Sequence, residues 1–288
     1  MVVLRCGDYS TKEENGELID KECHIYMDGI LHENLEEIKR IVMKKDFDYV
    51  AVISGRVGKG KSVFGQQLAK YFDTSFDISR VCFSAREFIE VTTSCPKHSA
   101  VILDEAFESL NTKISMSPEF LKIQNHLSII RQRNLFIFLI LPSFFDLHKS
   151  LALNRTQHLF HIYGKGFGDR GRFAAFSPDN KRILYIRGSK YHDYNAWRPN
   201  IRGRFTAKYV LDRAEYEKKK LNHLLSQSAK LETLNVRDIQ KIKLVGHLKI
   251  NEGWKIKKLS EIMGISKQGV YDMVKKYEDG GLNVQESS

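Results

Sequence analysis

Eight consecutive residues, Gly55-Arg56-Val57-Gly58-Lys59-Gly60-Lys61-Ser62, combine three glycines, two lysines and a hydroxyl. Gly55, Gly60, Lys61 and Ser62 fit the spacing G-x-x-x-x-G-K-[ST]. The chemistry this suits is the holding of a polyphosphate. Phosphate oxygens need many donors at close range. Glycines let a backbone curl with its N–H groups pointing inward, and a helix that starts there adds its positive end. Gly55, Gly58, Lys59, Gly60, Lys61, Ser62 and Val63 are therefore the expected nucleotide-binding residues. Lys61 can reach the β- and γ-phosphates, and Ser62 Oγ can ligate Mg²⁺. A glycine-rich turn with no ligand is the bland alternative. It is weakened by the flanks, an apolar run before the loop and a helical pattern after it.

A second chemical pair follows. In "AVILDEAFESL", four apolar residues end in Asp104-Glu105, and Asp104 lies 42 residues after Ser62. An apolar strand of this kind delivers its carboxylates to the mouth of a sheet, where open α/β sheets bind ligands. Asp104 can hold Mg²⁺ through water, and Glu105 can polarise an attacking water. Alone, a strand ending in a solvated acidic loop would be the simpler account. After a phosphate loop, the catalytic account is preferred.

The elements that must position these residues can be read from periodicity. Strand-like runs fall at Tyr49–Ser54, Arg80–Phe83, Ala100–Leu103, Leu135–Leu141 and His158–Tyr163. Helical patterns fall at Leu35–Lys44, Lys61–Phe72, Ala85–Val91, Pro118–Arg133 and Phe144–Leu153. Alternation of this kind predicts an α/β fold with a parallel sheet flanked by helices. Arg170–Gly188 reads as two strands around Ser177-Pro178-Asp179-Asn180, a predicted β-hairpin. Tyr209–Gln227 reads as a charged connector helix.

The C-terminal pattern differs. In "KKLSEIMGISKQGVYDMVKKYED", Leu259, Ile262 and Met263 give a short helix an apolar face, Gly264 permits a left-handed turn, and Ser266 can cap the next helix. Val270 and Val274 would pin that second helix, leaving Lys267, Gln268, Tyr271 and Lys275 outside. This is the pattern of a helix-turn-helix whose second helix reads the major groove. "VRDIQKIKLVGHLKIN" would be its supporting first helix. A small bundle for protein contacts is the alternative.

Charge supports a polyanionic partner. The chain carries +11, unevenly placed. Residues 1–40 hold five Lys/Arg against ten Asp/Glu, whereas residues 165–213 hold twelve against four. A block bias of this kind suits a nucleic-acid surface better than general solubility does. Within it, Tyr191, Tyr194 and Trp197 could stack on bases or partners, while the Phe residues read as core. The longest apolar run, "LFIFLIL", is too short to span a bilayer. With no signal-like N-terminus and four cysteines lacking any CxxC pair, a cytoplasmic location is expected.

The loop together with "VILDE" resembles the P-loop ATPases that set a catalytic Glu beside the Mg²⁺-holding Asp. The strand "LFIFLIL" after the basic "RQR" is similar to FtsK/HerA-type DNA translocases and zonular occludens toxin-like ATPases. The resemblance covers roughly residues 48–188. It implies a P-loop NTPase (RecA-like) sheet, ATP as substrate and Mg²⁺ as cofactor. It also implies a further strand between the two motif strands, ending in a polar sensor. Pro142 follows that strand here, and Ser143 is the nearest candidate. Such ATPases commonly work as homo-oligomers with an arginine reaching a neighbour's site. Arg131, Arg133 and Arg155 are available, and Arg155 is preferred. The expected organisation is an acidic segment (1–47), an ATPase domain with a basic hairpin (48–205), a helical connector (206–235) and a helix-turn-helix domain (236–288). The expected activity is DNA-dependent ATP hydrolysis by a translocase or packaging-type motor. A replication initiator or ATP-switched DNA-binding regulator is the alternative.

Overall fold

A computed structural model describes residues 2–8, 12–14, 17–19, 22–104, 118–166 and 168–278. The chain divides into two compact units, Met1–Lys218 and Lys219–Ser288. The first is built on a seven-stranded sheet. Its strands are β5 (Tyr49–Ser54), β6 (Val81–Cys82), β7 (Ala100–Leu103), β8 (Phe136–Leu141), β9 (His158–Tyr163), β10 (Arg172–Phe176) and β11 (Ile201–Arg204). They lie in the order β11-β10-β9-β5-β8-β7-β6. The run from β9 to β6 is parallel, and β10 and β11 add an antiparallel edge. Strand β8 thus lies between the strand that enters the glycine loop and the strand that ends in Asp104. This is the order implied by the resemblance to P-loop ATPases.

Both faces of the sheet are covered, so its central strands are apolar throughout. Every residue of β5 and of β8 is buried. Side chains nevertheless alternate between two cores, as a pleated strand requires. Tyr49, Ala51 and Ile53 join Phe136, Phe138 and Ile140 on one face. That face packs against α1 (Gly29–Lys44) through Leu31, Leu35 and Val42, and against α2 (Lys61–Phe72) through Phe64, Leu68 and Phe72. Val50, Val52, Ile137 and Leu139 face the other way. There they meet Phe88 of α3 (Ala85–Ser94), Ile123 and Leu127 of α4 (Pro118–Ile129), and Leu184 of α5 (Pro178–Gly188). Before α1, β1 (Val2–Asp8) pairs antiparallel with β4 (Glu22–Met27), and β2 (Lys12–Glu14) with β3 (Glu17–Ile19).

The hairpin predicted for Arg170–Gly188 is corrected. Its first run is β10, but its second run is helix α5. Ser177 caps that helix by accepting from the Asn180 N–H, Pro178 stands in the first turn, and Asp179 faces the positive end. Lys181, Leu184, Tyr185 and Gly188 are its buried residues, a spacing of three, four and seven that only a helix can satisfy. The antiparallel partners of β10 are instead β9 and β11. Lys181 is itself buried and donates Nζ to Ala152 O (2.6 Å), Thr156 Oγ1 (2.8 Å) and Thr156 O. These acceptors lie in and just after the π-helical turn Leu151–Arg155, so the buried ammonium ties α5 to that turn. The helix expected at Phe144–Leu153 is in fact this turn plus a 3₁₀ turn at Phe144–Asp146.

In the second unit, Gly264 takes φ +64° at the end of α7 (Ile256–Met263). The Ser266 hydroxyl accepts from Gly269 N (3.1 Å) to start α8 (Lys267–Glu278). Val245, Leu259, Val270 and Val274 form the small core, with Trp254 and Met263 packed on it. Val245 comes from α6 (Arg213–Ile250), a continuous helix holding both the expected connector and the expected supporting helix.

Candidate nucleotide and metal site

The loop between β5 and α2 is shaped by its glycines. Gly55 has φ +148°, and a Cβ there would lie 2.2 Å from Ile162 O, so only glycine lets β9 run this close. Gly58 has φ +77° with open space beside it, and Gly60 takes φ +96° immediately before α2. The loop is braced at three points. Gly55 N donates to Pro142 O (3.2 Å) at the end of β8. Lys59 Nζ donates to Gly166 O (2.6 Å) and Asp169 O (2.8 Å). Lys61 Nζ donates to Arg56 O (3.1 Å), folded over the loop it would leave to meet a phosphate. Residues 56–58 are exposed, so the cradle opens to solvent.

Asp104 stands where the sequence places it, one residue past β7, and is 2% exposed. Its backbone N–H donates to Cys82 O (2.8 Å). Its carboxylate Oδ2 accepts from the Tyr216 hydroxyl at 2.5 Å. The Ser62 side chain lies close enough to the same phenol to act against the rise in its pKa. Ser62 and Asp104, the two expected Mg²⁺ residues, are therefore both neighbours of one hydroxyl. A hydroxyl and a carboxylate around one small position are the oxygen donors a hard cation takes, and they fit Mg²⁺. Glu105 lies outside the described residues.

Tyr216 was not legible as part of this site. It sits on the first turns of α6, 3% exposed, against Phe83 and Tyr209. Burial first, then the neighbouring Asp104 charge, pushes its phenol pKa upward, so it remains a neutral donor. The preceding chain is laid along α2: Gln67 Nε2 donates to Thr206 O (2.6 Å) and Lys208 O (2.9 Å), and Phe205 packs on Phe64.

Ser143 lies beyond β8 beside the loop, its Oγ 3.3 Å from His192 Nδ1. It lines a cleft of about 950 Å³ with Gly55, Arg56, Lys59, Tyr163 and Arg202. Within that cleft the Tyr194 hydroxyl donates to Ser54 Oγ (3.1 Å) and accepts from Phe144 N (2.7 Å). The His161 ring stacks on Tyr194 at 3.5 Å, with Nδ1 3.3 Å from Ser54 Oγ. Burial, with the Lys61 charge second, lowers the His161 pKa to about 4, so the ring faces the loop lysine neutral. Tyr194 is thus part of this packed group and is not offered to a base. Trp197 folds back onto α5, its Nε1 donating to Asn180 Oδ1 (3.0 Å) beneath Arg187. Tyr191 alone of the three is largely exposed, at 76%.

The structure places Arg155, expected to reach a neighbour's site, against partners in its own unit. Its guanidinium pairs with the buried Asp48 carboxylate and donates to Leu127 O (Nε 3.0 Å, Nη2 2.7 Å). Four of its five N–H groups are spent inside its own unit. Arg133 donates to Cys95 O, and Arg131 lies exposed over the Phe47 ring at 5.3 Å. In the second unit, Lys267, Gln268, Tyr271 and Lys275 are all exposed on α8, with Gln268 Nε2 donating to Asp272 Oδ1 (3.0 Å).

No known family and no curated protein matches the chain. Among solved structures, the N-terminal domain of zonular occludens toxin from Neisseria meningitidis is 18% identical, with a TM-score of 0.34 over 46% of this chain and 84% of that one. The genome packaging NTPase B204 of Sulfolobus turreted icosahedral virus 2, in complex with ATP-gammaS, is 14% identical (TM-score 0.33, covering 46% and 94%). The AAA domain of FIGL-1 in complex with ADP is 13% identical (TM-score 0.37, covering 67% and 86%).

Proposed function

We propose that the chain is a Mg²⁺-dependent ATP hydrolase whose turnover depends on DNA, a translocase or packaging-type motor. The observation that carries the hydrolase reading is a glycine cradle opening α2 at Lys61-Ser62, with Asp104 ending the strand on the far side of the intervening β8. The backbone of Gly55, Gly58, Lys59 and Gly60, with the first turn of α2 at Lys61 to Val63, takes the phosphates. Lys61 swings from Arg56 O to the β- and γ-phosphates. Ser62 and Asp104 would hold Mg²⁺, which would supply positive charge to offset that of the phosphates. Glu105 accepts the proton of the attacking water, and Ser143 contacts the γ-phosphate side as the polar sensor. Cys82 and Cys95, both buried and neither in a disulfide among the described residues, suit a reducing cytoplasm.

DNA enters this reading through the second unit. A short helix, a left-handed glycine turn and a capped second helix form a helix-turn-helix, and Lys267, Gln268, Tyr271 and Lys275 face the groove. The basic block from Lys165 to Arg213 contacts phosphates, and subunits assemble into a homo-oligomer around the duplex. One observation favours a second reading, an initiator or ATP-switched regulator. Helix α6 begins at the metal site with Tyr216, and α5 stands where the hairpin that favoured a motor was expected.

Nucleotide binding and hydrolysis by two variants test the site. Lys61→Ala should lose ATP binding. Glu105→Gln should keep ATP binding and stop turnover, because the amide cannot take the water's proton. Wild-type hydrolysis by Glu105→Gln would remove Glu105 as the base.

A further inference from the structure

The hydroxyl that engages Asp104 belongs to neither motif. Tyr216 is 112 residues from Asp104 in sequence, yet it donates to Asp104 Oδ2 at 2.5 Å, with the Ser62 side chain a near neighbour. These are the two side chains that the proposed nucleotide site assigns to Mg²⁺. A metal ion held by Ser62 and Asp104 would need the Asp104 oxygen that the phenol now uses. We infer that Tyr216 is a latch that competes with Mg²⁺ for Ser62 and Asp104, so that entry of Mg²⁺-nucleotide releases the start of α6. The inference rests on the nucleotide-site reading.

Three features support a built latch over chance packing. First, the phenol is held from several sides: Phe83 packs at 5.8 Å and Tyr209 at 5.9 Å between ring centroids. Second, the chain before it is strapped to α2, the helix that carries Ser62. Gln67 takes Thr206 O and Lys208 O, and Thr206 Oγ1 accepts from Tyr26 N (2.9 Å). Third, the turn that carries it is secured locally: Asp212 Oδ1 accepts from Glu215 N (2.9 Å), Asp212 O accepts from Tyr216 N (3.0 Å), and Arg213 lies over Tyr209. The strap fixes one end on α2 while the hydroxyl reports on the metal position. Tyr216 opens the same continuous helix that ends at Ile250, so the metal site and the chain leading to the second unit share one element. The coupling is obligatory: whatever Mg²⁺-nucleotide does to Tyr216, a fixed Tyr216 does in reverse to Mg²⁺-nucleotide affinity.

The test uses the full chain, ADP as probe, and two conditions, excess Mg²⁺ and excess EDTA. Tyr216→Phe keeps the ring and its packing and removes only the hydroxyl. A hydrogen bond to a carboxylate resists displacement more than a neutral one. Its loss should tighten Mg²⁺-ADP binding about tenfold, while Mg²⁺-free ADP binding changes less than about twofold. In the wild type, amide exchange over residues 209–226 should rise with Mg²⁺-ADP and stay unchanged with ADP in EDTA. If Tyr216→Phe weakens Mg²⁺-ADP binding, the tyrosine assists the metal and the latch is overturned. It is overturned equally if the variant keeps the wild-type magnesium dependence, or if exchange over 209–226 is the same with and without Mg²⁺-ADP. A wild type that binds no ADP in either condition sinks the nucleotide reading and the latch together, so the two failures are told apart.

Discussion

Replacing Arg155 with Ala separates a structural arginine from a catalytic one. The Asp48 carboxylate side chain is 4% exposed and the Arg155 side chain 16%. Truncation leaves a buried charge unpaired, which costs about 3–5 kcal/mol in comparable sites. It also strips both donors from Leu127 O, adding about 1 kcal/mol. A total of about 4–6 kcal/mol is expected. With a urea dependence of about 3 kcal/mol per molar, the unfolding midpoint should fall by roughly 1.5–2 M. The double variant Asp48→Asn/Arg155→Met removes both charges and should recover most of the loss, because no ion is then stranded. The assay is equilibrium urea unfolding by circular dichroism, run beside ATP hydrolysis. A different outcome refutes the reasoning: Arg155→Ala unfolds at the wild-type midpoint, loses hydrolysis, and regains activity when mixed with Glu105→Gln subunits. Arg155 would then serve a neighbouring site.

Two further predictions concern acid stability and the division of labour. Burial, and secondarily the Lys181 charge, lowers the His158 pKa to about 4, and His161 is also lowered to about 4. The unfolded rings titrate near 6.5, so each favours the folded state fully above that pH and loses its contribution as pH falls toward 4, by up to roughly 3 kcal/mol per ring. Thermal melts between pH 7 and 4 should show this fall, and His158→Gln should flatten part of it; a flat profile in the wild type would contradict the assigned burial. A fragment ending near Gln227 should keep nucleotide binding and lose sequence preference in competition DNA binding, with residual affinity falling steeply in salt. Equal preference in fragment and full chain would remove the second unit from DNA reading.

The parts of the fold that rest on local signals were legible. Gly55 to Ser62 and the "AVIL" run before Asp104 each carry their structure in a few adjacent residues, and both stand where periodicity put them. Gly264 and Ser266 likewise end and start helices by their own backbone and side-chain chemistry. The misreadings share a cause. "KRILYIRG" offers apolar residues to either a strand or a helix, and the choice fell to Ser177, Pro178 and the burial of Lys181 against Thr156, a residue 25 positions away. Nothing near Arg155 in sequence shows that Asp48, 107 residues earlier, pairs with it. Tyr216 was hidden in "YVLDRAEYEKKK", where one tyrosine among charges reads as a solvated face. Only the strap from Phe205 to Tyr209 along α2 carries it to Asp104. Long-range partnerships leave no local signature, and the surroundings of Asp104 depend on one of them.

Steady-state ATP hydrolysis by the full chain, with Mg²⁺ and duplex DNA of increasing length, tests the central claim most directly. A motor spends each hydrolysis on a step, so turnover should be low without DNA and should rise with duplex length. Lys61→Ala and Glu105→Gln should abolish turnover at every length. Hydrolysis indifferent to DNA would contradict the account, and saturation by a short duplex would replace the motor with the ATP-controlled switch.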